Sequence, residues 1–340
     1  MKNIAQGKSL NGVSWNISFS IGEDIYLWEG EFKLNEKGFF MRISEESEND
    51  NKATNVPTVL YEKVVINGDI IIERRETVLT FEGEKSPIPI KAEQSVLTLI
   101  PDPLIQRAEK EFKKIVYSDY TNSAEGVSSS SIIDEQILTK YKTIESIRNS
   151  DELLLTKLFW IYKKNKKTFN QIKDDFISVF PQVENIKIEP LEMLKDAPVP
   201  LFLKAAPFIQ FKENEMKDWL PVMGMSAGMY RTLIHIIELH LSAEGTVILI
   251  DEFENSLGVN CIDELTTEIK SATNRIQFII TRHHPYIINS ISYNNWKIVT
   301  RNSCKVSTQD AKDFNFGKSK HEAFIQLLNL PSFKTGKKQQ

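Results

Sequence analysis

The sequence has few of the features that mark membrane, secreted or nucleic-acid-coating proteins. No apolar run approaches the ~18 residues that a bilayer-spanning helix needs, and the first residues lack the apolar segment of a signal peptide. Only two cysteines occur, Cys261 and Cys304, far apart in the chain, which favours reduced thiols. The formal net charge of −4 gives no global attraction for nucleic acids. These absences predict a cytoplasmic protein without a membrane partner.

The chain does contain enough apolar side chain for a large core. With 340 residues, 41% of them hydrophobic, it can form one large domain with an insertion, or two lobes. Alternating apolar residues and an Asn67-Gly68 turn predict antiparallel strands near the N-terminus, and charged helical patterns follow. We therefore predict a β-rich region over residues 1–100, a helical lobe over 101–195, a C-terminal core over 196–332 and a tail over 333–340.

A short apolar run, Thr246–Ile250, leads directly into two acids, Asp251 and Glu252. Such a run predicts a buried parallel strand, and the ligand sites of parallel sheets lie just beyond the carboxyl ends of the strands. Two neighbouring carboxylates repel each other and lose hydration there, so they normally hold a cation or handle a proton. A magnesium–nucleotide site fits this pattern best, and the structural alternative is a solvated loop.

A second apolar run, Ile276–Ile280, ends in the polar cluster 281–285. The segment between the two runs, Cys261–Thr273, has the pattern of an amphipathic helix. Strand, crossover helix and strand form a βαβ unit, which places both polar ends at the same edge of one sheet. The sequence therefore predicts that the two acids and His283 converge.

Upstream of these runs, Ser226 and Gly228 precede a segment that is apolar at most positions up to Leu241. Serine is a favoured N-cap, and the first N–H groups of a helix bind phosphate when a glycine lets it approach closely. By itself, a serine and a glycine before a helix more often form only a cap.

Together these segments resemble the C-terminal half of ABC-type ATPases, in particular the AAA-labelled relatives of SMC and OLD proteins that occur often in bacterial defence operons. Four motifs in the same order and spacing carry the resemblance: Ser226-x-Gly228, Ile248 to Glu254, Ser256-Leu257-Gly258 and Thr281-x-His283-x-Pro285. It is close from Ser226 to Ile291 and looser before. The resemblance implies an α/β fold with a P-loop NTPase-like (ABC ATPase) core, an antiparallel β-subdomain and a helical lobe insertion.

The resemblance also implies roles for the matching residues. Asp251 falls on the aspartate that binds magnesium through water, and Glu252 on the glutamate that polarises the hydrolytic water. His283 falls on the switch histidine that contacts the γ-phosphate. The remaining nucleotide contacts fall on the signature motif, which caps the ATP of the opposite subunit, and on the D-loop: Ser226, Gly228, Ser256, Leu257 and Gly258.

Family membership would bring ATP and Mg²⁺ as cofactors and a homodimer that sandwiches ATP between its subunits. Closure and opening of that dimer would drive a partner or effector protein, with antiphage defence or DNA maintenance as the expected setting. These expectations follow from the resemblance and not from any single residue.

One family motif does not occur in the chain, the phosphate-binding loop Gly-x-x-x-x-Gly-Lys-Ser/Thr. Gly7-Lys8-Ser9 matches only its last three positions, since Lys2 stands where the first glycine is needed. We expect Met1–Gln6 to be the end of the helix that follows this loop, with the loop outside the chain. The missing motif is consistent with a truncated or mis-started ATPase and equally with a degenerate one. The resemblance favours an ATPase, and the sequence does not decide between these two.

Two other functions remain open from the sequence. A chain without a phosphate loop fits a non-hydrolysing interaction platform. The lysines 163, 164, 166 and 167, with aromatic residues nearby, also fit DNA or RNA binding by phosphate pairing and stacking. For that segment we favour the solvated face of a helix whose aromatic side chains, Trp160 and Phe169 among them, pack inward.

Overall fold

The computed structural model describes most of the chain in separate stretches: residues 1–34, 56–86, 90–118, 137–191, 206–253, 275–281, 291–302, 305–314, 316–317 and 319–330, with 195, 196 and 198. The chain forms two compact units, Met1–Ile115 and Val116–Gln340. In the stretches above, no helix is long and apolar enough to cross a membrane. The alternating apolar pattern also predicts a strand over 39–43. This strand and the predicted helix 261–273 lie outside the described residues.

The first unit is built on a six-stranded antiparallel sheet whose strands lie side by side in chain order. Its strands are β1 (Ser14–Ile21), β2 (Asp24–Phe32), β3 (Val59–Ile66), β4 (Asp69–Arg75), β5 (Val78–Phe81) and β6 (Glu84–Lys85). Its helices are α1 (Lys2–Ala5), α2 (Val96–Leu99) and α3 (Pro103–Lys113). The antiparallel β-rich region predicted from alternating apolar residues is present.

The predicted Asn-Gly hairpin connects β3 and β4. Asn67 and Gly68 both have positive φ, +54° and +95°, the backbone that a two-residue turn with the twist of the strands requires. The Asn67 side-chain oxygen also accepts a hydrogen bond from the backbone N–H of Ile25 at 2.8 Å. The turn therefore joins three neighbouring strands.

α3 packs into the core of the first unit. The Asp102 carboxylate caps its start by accepting from the N–H groups of Leu104 and Ile105, and Pro103 occupies the first turn. The ring of Phe112 lies 5.0 Å from that of Trp28, and both are buried. The predicted helical lobe 101–195 thus begins with a helix that contributes to the first core, and its bounds stay a prediction.

The first core also encloses an acid and a base, Glu62 and Arg74, whose side chains are both 0% exposed. Glu62 accepts hydrogen bonds from the Trp28 indole at 2.9 Å, the Ser95 hydroxyl at 2.5 Å and the Val96 N–H at 2.9 Å. The Arg74 guanidinium lies 3.9 Å from Glu62 and donates to four backbone carbonyls. Burial raises the pKa of Glu62 and lowers that of Arg74.

The second unit combines two sheets, a hairpin and several helices. Its strands are β7 (Ile115–Ser118), β8 (Val183–Pro190), β9 (Pro207–Glu213), β10 (Leu220–Pro221), β11 (Val247–Ile250), β12 (Gln277–Ile280), β13 (Lys297–Asn302) and β14 (Lys305–Asp310). Its helices are α4 (Ile137–Lys140), α5 (Ile144–Arg148), α6 (Leu154–Lys164), α7 (Lys166–Val179), α8 (Ala227–Leu241) and α9 (Lys320–Asn329). The chain is thus mixed α/β, with one sheet containing parallel strands and others antiparallel.

β11 and β12 pair in parallel, with Val247 opposite Gln277 and Ile250 opposite Ile280. β7 lies on the other side of β11 and completes a three-stranded sheet. α8, every residue of which is buried from Arg231 to Leu239, belongs to the same core as β11. The helix is apolar at most positions, which predicts its burial, but its buried residues also include the polar side chains of His235 and Glu238.

The structure corrects the sequence prediction at two places in the second unit. The sequence pattern predicts helical runs over 132–148 and 151–179 within the helical lobe. In the described residues these runs are broken into shorter helices, because α4 and α5 are separate and Asn165 ends α6 and caps α7. β8 pairs antiparallel with β9, and the sequence around Pro181 and the stretch 190–200 did not predict this pair. The sequence also predicts a strand over Trp296–Thr300 and an amphipathic helix over Lys320–Leu330, and both are present as β13 and α9.

Candidate functional site

The two acids lie at the carboxyl end of β11, level with Thr281 at the carboxyl end of β12. The pairing of Ile250 with Ile280 places Asp251 beside Thr281. The Thr281 N–H donates to the Ile250 carbonyl at 2.9 Å, and the Thr281 hydroxyl donates to Asp251 Oδ1. The predicted convergence of polar residues at one sheet edge is therefore present for these described residues.

Glu252 stands in a backbone conformation that is unusual for its residue type. Its φ is +47°, in the left-handed region where a side chain other than glycine is strained. Its N–H donates to the Thr281 hydroxyl at 2.9 Å, and the N–H of the next residue, Phe253, donates to the Thr281 carbonyl at 3.2 Å. These bonds hold the chain reversal after β11, and the side chains of Asp251 and Glu252 are exposed.

Phe253 anchors the far side of the same turn. It is 1% exposed, and its ring lies 5.7 Å from the imidazole of His235 on α8. His235 Nδ1 lies 3.6 Å from a carboxylate oxygen of Glu238, which accepts from the Ser118 hydroxyl at 2.9 Å. The turn with the acids is thus backed by a buried polar row on α8, which could not be predicted from the apolar pattern of that helix.

α8 runs antiparallel to β11, and contacts at two levels show its direction. Arg275, at the start of β12, donates to the carbonyls of Leu239 and Ser242 at the C-terminal end of α8. His235 lies beside Phe253, just after β11. Ser226 is nine positions before His235, so with 1.5 Å rise per residue the helix start lies about 13 Å further along the axis.

Ser226 caps α8 by accepting from the Met229 N–H at 3.2 Å, as its position before the helix predicts. Ser226 is exposed and Gly228 is half-buried. Because α8 runs antiparallel to β11, Ser226 lies further along the helix axis than His235, which is beside Phe253. Ser226 and Gly228 therefore lie at the end of α8 nearer to the carboxyl ends of β11 and β12.

The other predicted site residues, His283 and the D-loop residues Ser256, Leu257 and Gly258, lie outside the described residues. Their convergence with the acids and the roles of all these residues stay predictions. Thr281 is the residue whose place in the site was missed, although its position in the polar cluster after a predicted strand was visible in the sequence.

Comparison with known proteins identifies the relatives of the chain. The family described as "AAA domain, putative AbiEii toxin, Type IV TA system" matches residues 103–289, which is more than half of the chain. The chain belongs to this AAA-domain family. The match includes β11, Asp251, Glu252 and Thr281, so the described site lies within the family's ATPase domain.

A curated relative of this AAA domain is the Retron Ec83 probable ATPase of Escherichia coli, 27% identical over 164 residues. The match covers 46% of this chain and 29% of that protein, so the chain spans less than a third of its relative's length.

Among solved structures, the chain is similar to an SmcHead bound to the C-winged helix domain of ScpA, with TM-score 0.41, 14% identity and coverage of 85% of this chain and 76% of that chain. It is also similar to a Smc head domain derived from Pyrococcus furiosus, bound to the C-terminal domain of ScpA, with TM-score 0.39, 13% identity and coverage of 86% and 78%.

The described site contains one carboxylate, Asp251, that could hold Mg²⁺ together with water and nucleotide phosphates. The described residues contain no group of three or more His, Cys, Asp and Glu side chains that could hold a metal ion. Mg²⁺ is usually bound by one or two carboxylates and substrate phosphates, and it keeps several waters. Asp251 uses Oδ1 for the Thr281 hydroxyl and has a second oxygen for a metal-bound water, so this exposed carboxylate fits such a site.

The lysine run occupies the corner between α6 and α7, where all four lysines are exposed. The ammonium group of Lys163 lies over the rings of Phe159 and Tyr162. Trp160 and Phe169 are 3% and 7% exposed. The inward packing of these two aromatic side chains is confirmed. The third aromatic residue of the segment, Tyr162, is half-buried, and its hydroxyl donates to Glu189 at 3.2 Å.

Proposed function

We propose that this AAA domain forms half of an ATP-hydrolysing site of the ABC type, in which Asp251 holds Mg²⁺ through water and Glu252 activates the hydrolytic water. One observation carries the proposal: the two exposed acids follow a parallel strand at the sheet edge where the Thr281 hydroxyl bonds Asp251. Ligand sites of parallel sheets occupy this edge. His283 would contact the γ-phosphate, and the D-loop residues Ser256, Leu257 and Gly258 would line the nucleotide.

The proposed reaction places separate tasks on the two acids. Glu252 accepts a proton from the attacking water and orients it in line with the phosphorus–oxygen bond that breaks. Asp251 fixes the position of the metal through its water shell. Mg²⁺, when bound, supplies charge neutralisation on the phosphate oxygens. β11 ends at Ile250, so both acids follow the strand directly, with Glu252 in the left-handed region.

The position of Ser226 supports a site that two copies share. Ser226 precedes His235 by nine helical positions, about 13 Å along the axis of α8, while His235 lies beside Phe253 just after the acids. This offset supports a role for Ser226 at the nucleotide of another copy. Ser226 and Gly228 would meet the ATP held by a second copy, giving the ATP-sandwiched homodimer. The related names, a putative AbiEii toxin family and a retron ATPase, support coupling of this dimer to an effector in defence.

The proposal is tested with two forms: residues 1–340, and the same residues preceded by the strand and phosphate loop of an ABC-type ATPase. We expect calorimetry to show weak or no ATP binding by the first form, because that loop supplies most of the N–H contacts to the phosphates. The second form should bind and hydrolyse ATP. Tight binding by residues 1–340 would show that the phosphates are held without this loop and would contradict the proposal. An extended form that binds ATP without turnover would support the interaction platform.

Glu252→Gln in the extended form tests the base directly. Loss of a general base costs ~10²–10⁴-fold in rate, so we expect turnover to fall by that factor while an ATP-bound dimer accumulates in sedimentation velocity. Glu82→Gln is the matched control, because Glu82 is also exposed and left-handed, with φ of +49°. Turnover at the wild-type rate in Glu252→Gln would refute the assignment.

A further inference from the structure

Thr281 makes contacts that reach both acids from the neighbouring strand. Its hydroxyl donates to Asp251 Oδ1 and accepts from the Glu252 N–H at 2.9 Å. Its backbone carbonyl accepts from the Phe253 N–H at 3.2 Å, and its N–H donates to the Ile250 carbonyl at 2.9 Å. Four consecutive residues of the turn, 250 to 253, are therefore bonded to one residue.

These contacts have two physical consequences. A hydroxyl has one proton to donate, so the proton given to Asp251 fixes the hydroxyl rotor and leaves its lone pair toward the Glu252 N–H. The hydrogen bond to a charged carboxylate is also stronger than one between neutral groups. Glu252 stands at φ of +47°, a conformation that persists only when the surroundings hold it. Thr281 supplies the hydrogen bonds that hold it.

We propose that Thr281 is a positioning residue that aligns Asp251 toward the metal water shell and holds Glu252 in its left-handed turn through one shared hydroxyl. The inference rests on the proposed function for its catalytic meaning, but its contacts are tested without nucleotide. Serine in place of threonine keeps the hydroxyl, whereas valine keeps the shape and removes it. The pair of variants therefore separates the hydrogen bonds from side-chain packing.

The first experiment measures coupling between Thr281 and Asp251 in residues 1–340 by urea denaturation. Thr281→Val and Asp251→Ala are each expected to lower the denaturation midpoint, and the double variant is expected to lower it by less than their sum, because both remove the same hydrogen bond. Thr281→Ser should keep the wild-type midpoint. Thr308→Val, at an exposed threonine of β14, is the control and should add to Asp251→Ala without coupling. Additive effects of Thr281→Val and Asp251→Ala would overturn the proposal.

The second experiment uses the ATP-hydrolysing extended form and varies Mg²⁺ at saturating ATP. Misplacement of a reacting group by about 1 Å costs on the order of 10²-fold, so Thr281→Val should lower turnover by ~10–100-fold and raise the Mg²⁺ concentration for half-maximal rate. Thr281→Ser should restore both. A purely structural role would reduce the active fraction without moving the Mg²⁺ dependence, and that result would overturn the proposal.

The two experiments fail in distinguishable ways. Coupling in urea without any ATP turnover refutes the proposed function and keeps the contact between Thr281 and Asp251. Turnover with a Mg²⁺ dependence that Thr281→Val leaves unchanged refutes the positioning role and keeps the ATPase.

Discussion

Glu62 in the first unit and Glu252 in the second are the same residue type in opposite surroundings. Glu62 is fully buried, and both its oxygens accept hydrogen bonds from donors of the chain, beside Arg74. Glu252 is exposed, and its backbone is held in the left-handed region. A buried carboxylate with protein donors on both oxygens has a structural task, whereas an exposed one at a strained sheet edge is available to a ligand.

The largest expected effect on stability is at the buried pair. Arg74→Met leaves Glu62 buried without its countercharge, so we expect the free energy of unfolding to fall by about 3–5 kcal/mol. Arg75→Met is the control, because the adjacent side chain is 76% exposed and its ion pair with Glu73 spans 3.5 Å, and exposed pairs contribute ~0–1 kcal/mol. Chemical denaturation of both variants measures the difference. Equal losses of unfolding free energy in the two variants would show that the buried Glu62–Arg74 pair contributes no more to stability than an exposed pair.

The next effect separates the two glutamates directly. In Glu62→Gln, an NH₂ group replaces one of the two oxygens that accept hydrogen bonds in the wild type, so a donor is left facing another donor. We expect the free energy of unfolding to fall by about 1–3 kcal/mol. Glu252→Gln should change the free energy of unfolding by no more than ~0.5 kcal/mol, as is usual for an exposed side chain. Urea denaturation of the two variants at one pH makes the comparison. A larger loss for Glu252→Gln would reverse the assignment of structural and ligand-facing acids.

The stability difference between wild type and Glu62→Gln should also depend on pH. Because burial raises the pKa of Glu62, the stability due to its protonated form is complete below the ordinary value of 4.5 and is lost as pH rises toward the folded-state pKa. The advantage of wild type over Glu62→Gln should therefore shrink from about pH 4 upward. A difference that grows with pH would show that the pKa is lowered instead.

A smaller effect is expected at Arg275, which joins the start of β12 to the end of α8. Its guanidinium donates to the carbonyls of Leu239 and Ser242, where a positive charge also suits the helix dipole. Arg275→Met should cost about 1–2 kcal/mol in thermal or urea unfolding. Arg275→Lys keeps the positive charge but cannot donate to both carbonyls from a planar guanidinium. Its free energy of unfolding should therefore lie between those of the wild type and Arg275→Met.

The smallest effect is expected at the exposed lysines of the α6–α7 corner. Replacing Lys164, Lys166 and Lys167 together by glutamine should change stability by no more than ~0.5 kcal/mol per site, with a gain where cations are removed from the first turn of α7. The same variant tests the nucleic-acid hypothesis. Steep salt dependence of DNA binding that is lost in the variant would support it, and no binding by wild type at low salt would remove it.

The sequence predicts correctly those elements whose structure depends on neighbouring residues and is not changed by tertiary contacts. The Asn67-Gly68 turn, the two strands beside the acids and the serine before α8 were all predictable, because each depends on a few neighbouring residues. The break at Asn165 and the β8–β9 pair were not, because a capping side chain and a distant partner strand override the local helical pattern. The role of Thr281 required knowing the register between strands that are far apart in sequence.

In the proposed homodimer, each chain would supply two unlike half-sites: its own acids at one nucleotide and its Ser226 at the other. A copy altered at Asp251 still offers an intact Ser226, and a copy altered at Ser226 still offers intact acids. If Asp251→Asn and Ser226→Arg chains pair at random, half of the dimers are mixed, and each mixed dimer contains one complete site because the interface is reciprocal. Two inactive preparations would then regain about a quarter of the wild-type sites on mixing.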